Sequence, residues 1–481
     1  MRVASVRASA GRAADSGGRV REFHVAPMRD YTDRHHRRFM RLLSREAVLW
    51  SEMEKPGAIL KAADASSLRK LDRLLQRGSD EGYEVFQIGG SDPVTVAAAT
   101  RLVLPYGYDE LNLNCGCPAI TSGGGDYGAS LMRRGGDDAA RVIEAMVHEA
   151  QKRDPKNTPK ISVKCRVGIA ETVGDVLPKH ASKEEVRERL AKPLDAFVAK
   201  CADAGAASVV VHCRQAVMTG LSPSKNRGMP PLRPELVFEL CSTRSTSQNE
   251  LEFVLNGGVS SFADAANVFS ACPTLKGAQA GRWPLLRPFD VLHVDAFLMR
   301  VLTQDASLRE EDLPTARVDA ETTAKERFRF AFDRRAAARA VAAAETYAFR
   351  DRSFTAAASR KKENGAGAAA RPLALALADL DDRLEAASLI GVDGESPSVS
   401  SGNTEWTRQL DDPDALASAL DGLLSVCGDL LEVDGGANRA KRTRKALAKA
   451  VGKKVRGKQR GTRAEAAEAA GGVASGRLWK V

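Results

Sequence analysis

Between Arg21 and about residue 300 the chain repeats one unit eight times: a short apolar or β-branched run, a turn of Gly, Pro or polar residues, then a longer stretch with helical periodicity. The runs are EFHVAPM (22–28), AVLWSEM (47–53), YEVFQIGG (83–90), YDELNLNCGCP (108–118), KISVKCRVG (160–168), ASVVVHCR (207–214), EFVLNGG (252–258) and LKGAQAGR (275–282). Strands that alternate with helices pair in parallel through right-handed crossovers. Eight such units in a span of this size suit a closed barrel better than an open doubly wound sheet. The expected fold class is therefore α/β, a (β/α)8 TIM barrel followed by an α-helical C-terminal domain.

In such a barrel, chemistry sits where the strands end. Here those ends carry Pro27 and Met28, Glu52, Gln87, Asn114 and Cys117, Lys164 and Arg166, His212 and Arg214, Asn256, and Gly281 with Arg282. Neither GxGxxG after the first strand nor GxxxxGK[ST] occurs, so nothing supports a Rossmann or P-loop site. Anion binding is better placed at Asn256-Gly257-Gly258 and Gly281-Arg282, where glycine lets backbone N–H groups approach a phosphate and Arg282 adds charge. Gln87, Lys164 and His212 converge on the same mouth, and an amide, a cation and an imidazole suit the carbonyls and ring nitrogens of a planar heterocycle.

The eight cysteines lack the regular spacing of a secreted disulfide framework, which fits a reducing compartment. Cys115-x-Cys117 has no second ligand pair, so no metal site is expected. Period two turns Cys165 and Cys213 away from the barrel interior, as structural thiols. Cys117 differs: it lies in a Gly-Cys-Pro turn directly after a strand and before the glycine-rich TSGGGDYG (121–128), a place suited to an acid or a nucleophile.

Outside the barrel the chain changes character. Residues 1–21, with five Arg and one Asp, read as a basic extension, either a transit segment or a frayed terminus. Residues 22–300 form the barrel domain, with 171–195 a charged insertion on its rim. Residues 301–415 read as a variable helical and linker region, 416–463 as a helical, basic region, and 464–481 as a tail. The formal charge is +10, yet Arg439 to Arg463 hold twelve basic residues and no acid, so the remainder sums to −2. Such a cluster is either a contact for a polyanion, most often nucleic acid, or a solvated tail. A hydrophobic content of 43% excludes a wholly disordered chain, and no apolar run is long enough to span a bilayer.

Taken together, VAPMRDYTDRHHRRFMRLLS (25–44), QIGGSDP (87–93), YDELNLNCGCP (108–118), YGASLM (127–132), KCRVGI (164–169), VHCRQAVMTGLSPSKNR (211–227), LNGGVSSFADA (255–265) and AGRWPLLRP (280–288) resemble the tRNA-dihydrouridine synthases. The first and sixth of these stretches point to the branch acting on D-loop uridines near position 20/20a. The resemblance implies FMN as cofactor, NADPH as reductant and tRNA as substrate, in a monomer that needs neither metal nor membrane. It implies work inside the cell, in the cytoplasm or in an organelle if residues 1–21 direct it there. It further implies that Pro27, Met28, Arg29, Gln87, Lys164, His212, Asn256, Gly257, Gly258, Gly281 and Arg282 hold FMN. Cys117 would be the proton donor, and Asn114, Arg166, Arg214, Lys225, Arg227, Lys441 and Arg444 would contact substrate. Gln215 stands where the family usually has Lys, Arg29 replaces an apolar residue, and the C-terminal basic motif carries one extra residue. Two other functions remain open from the residues alone: a flavin barrel acting on a free small molecule, as dihydroorotate dehydrogenases do, and a non-catalytic RNA-binding barrel.

Overall fold

The structure, a computed structural model, describes residues 21–303 apart from 30, 65–67, 78–81, 119–126, 223 and 247–248. The basic extension 1–21, save Arg21, and the regions 301–415, 416–463 and 464–481 lie outside the described residues, save 301–303; so do Lys441 and Arg444.

Eight parallel strands close into a barrel: β1 (Glu22–Val25), β2 (Val48–Glu54), β3 (Glu84–Ile88), β4 (Glu110–Cys115), β5 (Lys160–Arg166), β6 (Ser208–His212), β7 (Glu252–Asn256) and β8 (Gly277–Ala280), with β8 returning to β1. All eight expected strands are present; seven are shorter than their runs because the turn residues at their ends leave the ladder, and β2 is as long as its run but shifted one residue on, ending at Glu54. Alternation explains the layering. Phe23, Leu49, Phe86, Leu111, Val163, Val209, Phe253 and Ala278 face outward and pack with the surrounding helices in one continuous core. The interior holds a small apolar plug of Val48, Trp50, Val85, Val210 and Val254. Below the plug, Trp50 Nε1 donates to His24 Nδ1 at 3.1 Å, and His24 Nε2 meets Glu22 at 3.0 Å.

Local signals set the helix starts. Asp33, Asp92 and Ser261 cap the helices Arg34–Leu43, Pro93–Val103 and Phe262–Ala271, each accepting from the N–H three residues on. One expectation needs correction. The segment 171–195 is an insertion only in its first half, because the helical run begins at Lys183, passes through a π turn at Arg187–Ala191 and continues to Asp203. Ser182 caps that start through Glu185 N–H at 3.1 Å.

Helix Arg34–Leu43 carries two buried groups of opposite character. Arg37 is fully enclosed and ion-paired with Glu84 of β3, whereas neither ring nitrogen of His36 meets a partner among the described residues. Burial, with Arg37 adding to it against Asp33, pushes the His36 imidazole down to about 4 from its ordinary 6.5. A depressed histidine stabilises the fold fully above 6.5, and that stability drains away as pH falls toward 4, because the unfolded chain then takes up a proton the folded one refuses. We expect a loss on the order of 2 kcal/mol between neutral pH and about pH 5. Urea titrations at the two pH values check this, and His36→Phe should flatten the difference.

Candidate active site

The strand ends gather the polar residues at one mouth. Gln87 and Asn114 point inward from β3 and β4. Asn114 Nδ2 donates to Gln87 Oε1 at 2.8 Å, and Gln87 Nε2 donates to Asn112 Oδ1 at 2.9 Å. Asn114 Oδ1 accepts from the backbone N–H groups of Gly116 and Cys117 at 3.1 and 3.0 Å. That side chain therefore fixes the turn carrying Cys117, a role in addition to the substrate contact expected of it. Each amide nitrogen keeps one N–H beyond these bonds.

Cys117 is part-exposed, while Cys115, Cys165 and Cys213 are sealed in the layer between barrel and helices. Burial pushes the Cys165 thiol up to about 12 and that of Cys213 up as well, so both are inert, as period two predicts. Behind Cys117, Ala129 N–H donates to its carbonyl at 2.9 Å. Gly128 passes so close that a Cβ there would lie 2.5 Å from the same carbonyl, at a φ of +72° that disfavours other residues. The turn lies against Arg166, whose Nε donates to Gly116 O at 3.0 Å, and β4 beside it pairs Asn114 with Lys164.

Arg166 is buried and spans three loops: Nε donates to Gly116 O at 3.0 Å, and Nη1 donates to Gln215 O at 3.2 Å and Asn226 O at 3.1 Å. It thereby ties the Cys117 turn to the segment 215–226. Two departures from the family pattern now have structural accounts. Gln215 uses its side chain to pin the rim insertion, accepting from Leu177 N–H at 2.8 Å and donating to Ile169 O at 3.3 Å. Arg29 is exposed, and its charge acts on Glu54 at the end of β2.

On the opposite side, Lys164 Nζ donates to Asn256 Oδ1 at 3.1 Å, and Asn256 Nδ2 donates to Gln279 O at 2.9 Å. Gly257 and Gly258 follow with φ of +99° and +84°. A Cβ on Gly257 would stand 3.3 Å from the His212 ring, and one on Gly258 3.0 Å from Leu232. Consecutive left-handed glycines of this kind make a concavity lined by N–H groups. Gly281 sits beside Ala26 and Met28, whose backbone is held by Thr32 Oγ1 at 2.9 Å. Trp283, wedged edge-on against Phe23 and Phe262 and bonded to Asp290 at 2.6 Å, fixes the neighbouring Arg282 at the rim.

The mouth is strongly cationic. Burial lowers Arg166 to about 10, with Arg227 and Arg214 adding to it, and lowers Lys164 to about 8, with Arg166 adding. Burial and the four cations Arg166, Lys164, Arg214 and Arg227 push His212 well below its ordinary value. The imidazole is therefore neutral near pH 7. Its Nδ1 accepts from Arg214 N–H at 3.3 Å, which leaves the proton on Nε2 as a donor. Arg214 and Arg227 are each lowered first by burial and then by Arg282. So many mutually repelling cations around a glycine cradle call for a bound anion. Of the charged cofactor and substrate residues expected within the described region, Arg29, Lys225, Arg227 and Arg282 are exposed, Lys225 and Arg227 on the turn Lys225–Arg227.

Sequence reasoning missed Glu54, whose carboxyl is pushed up to about 7 by burial and then by Glu52. It also missed Asn226, whose amide clamps Val217 N–H at 2.8 Å and Val217 O at 2.9 Å and so shapes the loop under Arg166. The only signal for Asn226 was its place inside SKNR; Glu54 had none.

Comparison with known proteins places these features in a family. The family profile described as dihydrouridine synthase matches residues 24–293. The chain is similar to the tRNA-dihydrouridine(20/20a) synthase of Pseudomonas syringae pv. tomato, 37% identical over 278 residues, which covers 58% of this chain and 71% of that protein. The protein of the same name from Pseudomonas putida is 36% identical over 275 residues, covering 57% and 70%. That of Shewanella oneidensis is 33% identical over 284 residues, covering 59% and 73%.

Proposed function

The chain belongs to the dihydrouridine synthase family, and from that premise we propose that it reduces the uracil C5=C6 bond of D-loop uridines in tRNA, at position 20 or 20a, with FMN and NADPH. The observation that carries this reading is the pairing of an Asn114-anchored Cys117 with a cationic glycine cradle across one mouth. The residues present fit FMN. Gly257, Gly258, Gly281 and Arg282 would hold its phosphate, and Gln87, Lys164 and neutral His212 would hold its ring, with Pro27, Met28 and Arg29 beside it. When bound and reduced by NADPH, that group would supply the hydride for uracil C6.

The chain's own residues do the rest. Asn114 and Arg166 orient the uracil carbonyls with the donors their internal bonds leave over. Cys117 holds a proton at Sγ and delivers it to C5, which completes the addition of two hydrogens across the double bond. The three carbonyls that grip Arg166 keep the turn and the base in one register. Arg214, Lys225 and Arg227 contact the tRNA backbone, together with the basic region 416–463, which includes Lys441 and Arg444 and lies outside the described residues. Drawing the uridine into the mouth costs a few kcal/mol of unstacking, less in an open loop.

NADPH oxidation by the FMN-loaded protein should require tRNA, fail with orotate or free uridine, and fall steeply with added salt as phosphate contacts are lost. Salt-insensitive turnover of a free pyrimidine would point instead to a small-molecule oxidoreductase. Lys164 adds a pH signature. With its ammonium lowered to about 8, the free protein loses that cation as pH rises through this value. FMN affinity, titrated on the apoprotein by fluorescence, should therefore weaken above about pH 8. Lys164→Met should bind weakly at every pH and lose the dependence.

A further inference from the structure

Among the described residues, three large apolar side chains stand exposed: Val94 at 75%, Met229 at 58% and Val173 at 44%. Each follows the C-terminal end of a barrel strand. Val94 lies in the first turn of the helix Pro93–Val103 after β3, Val173 opens the turn Val173–Asp175 after β5, and Met229 follows the turn Lys225–Arg227 after β6. Single exposed apolar residues are ordinary on a protein surface, but these three share one face, the face that carries the mouth.

Met229 is built against the site itself. The segment KNRGMP (225–230) is clasped at two points by arginines of the mouth: Arg166 Nη1 donates to Asn226 O at 3.1 Å, and Arg214 Nη1 donates to Pro230 O. Between the clasps the chain turns back on itself, with Gly228 N–H and Met229 N–H donating to Lys225 O at 3.0 and 2.9 Å. The Asn226 amide holds the turn through both main-chain polar groups of Val217, in the short parallel pair Ile169–Ala170 and Ala216–Val217 that follows β5 and β6. Chain length alone keeps the Met229 Cα within roughly 11 Å of that of Asn226. Met229 thus presents a flexible apolar side chain from a fixed main chain at the lip of the mouth, with Lys225 and Arg227 exposed on the same turn.

An apolar group bordered by cations suits a loop of nucleic acid, because cations meet phosphates while the apolar group meets the face of a base. Drawing one base out of a stack uncovers the face of its neighbour. We propose that Met229 is a wedge that covers this face: it packs against the D-loop base next to the reacting uridine once that uridine has entered the mouth. The inference rests on the reading of the mouth as a uridine site. Its contribution is to hold the uridine withdrawn, apart from the hydride and proton steps.

The test uses the full-length, FMN-loaded protein and unmodified tRNA. Met229→Ala should lower kcat/KM for dihydrouridine formation about tenfold, while Met229→Leu stays within about twofold of wild type. FMN content should not change, and the slope of log affinity for tRNA against log salt should be the same as for wild type, because no phosphate contact is lost. Two further tRNAs carry an abasic site, one immediately 5′ and one immediately 3′ of the target uridine, and so remove the base to be covered. The penalty of Met229→Ala, measured against wild type on the same tRNA, should vanish on one of the two. A penalty undiminished on both, a shallower salt slope, or a Met229→Ala variant as active as wild type on intact tRNA would each overturn the wedge and leave the uridine reading standing. Wild-type protein that leaves intact tRNA unreduced would take down that reading and the wedge with it.

Discussion

Cys117→Ala is expected to lower the rate of dihydrouridine formation by about 10²- to 10⁴-fold, the usual worth of a positioned general acid. FMN content should be unchanged. The turn is held through main-chain atoms, Cys117 N–H on Asn114 Oδ1 and Cys117 O on Ala129 N–H, and none of these needs the sulfur. Single-turnover reduction of tRNA by the pre-reduced protein separates the loss from any change in NADPH oxidation. Full turnover in the alanine variant would remove Cys117 from the proton-donor role. Asn114→Ala should behave differently, since it frees the two N–H groups of the turn and breaks the bond to Gln87. Its loss should include weaker FMN binding, because Gln87 is then no longer held.

The largest effect on stability is expected at Arg37. Its Nε donates to Glu84 at 3.0 Å, Nη1 to Thr32 O at 2.8 Å, and Nη2 to Gln76 O at 2.9 Å and Tyr108 Oη at 3.0 Å, with both charged side chains sealed from solvent. Arg37→Leu leaves the Glu84 carboxylate buried without its counter-ion, which costs about 3–5 kcal/mol. That is much of the roughly 5–15 kcal/mol a domain has in total. The site feels it too, because Arg37 grips Thr32 and Thr32 holds Met28. A double variant, Arg37→Met with Glu84→Leu, should recover much of the loss, since two apolar groups replace an ion pair at little net cost. Denaturant titration of the single and double variants reads both, and a double variant no better than the single would show that the lost bonds to Thr32, Gln76 and Tyr108, not the stranded charge, dominate.

The barrel was legible because the signals that make it are local. Runs such as ASVVVHC need only a β-branched preference and a turn after them, and glycines at 257, 258 and 281 mark the strand ends wherever they fall. The candidate residues at those ends were legible for the same reason: strand end implies mouth. Interactions between distant segments were not. Nothing in TDRHHRRFM says that Arg37 on its helix meets Glu84 of strand β3, or that His36 beside it is enclosed with no partner among the described residues. The role of Asn114 in holding the Cys117 turn depends on how tightly the chain reverses after β4, which residue types do not encode. The start of the helix at Lys183 was hidden because its first turns are nearly all charged, so the apolar periodicity begins only near Leu190.

The most direct test takes unmodified tRNA, the purified FMN-loaded protein and NADPH, followed by nuclease digestion and mass spectrometry of the D-loop fragment. The account predicts a fragment heavier by two hydrogen atoms at position 20 or 20a, formed by the wild-type chain and nearly lost with Cys117→Ala. An unchanged fragment from protein that holds FMN and oxidises NADPH would contradict it.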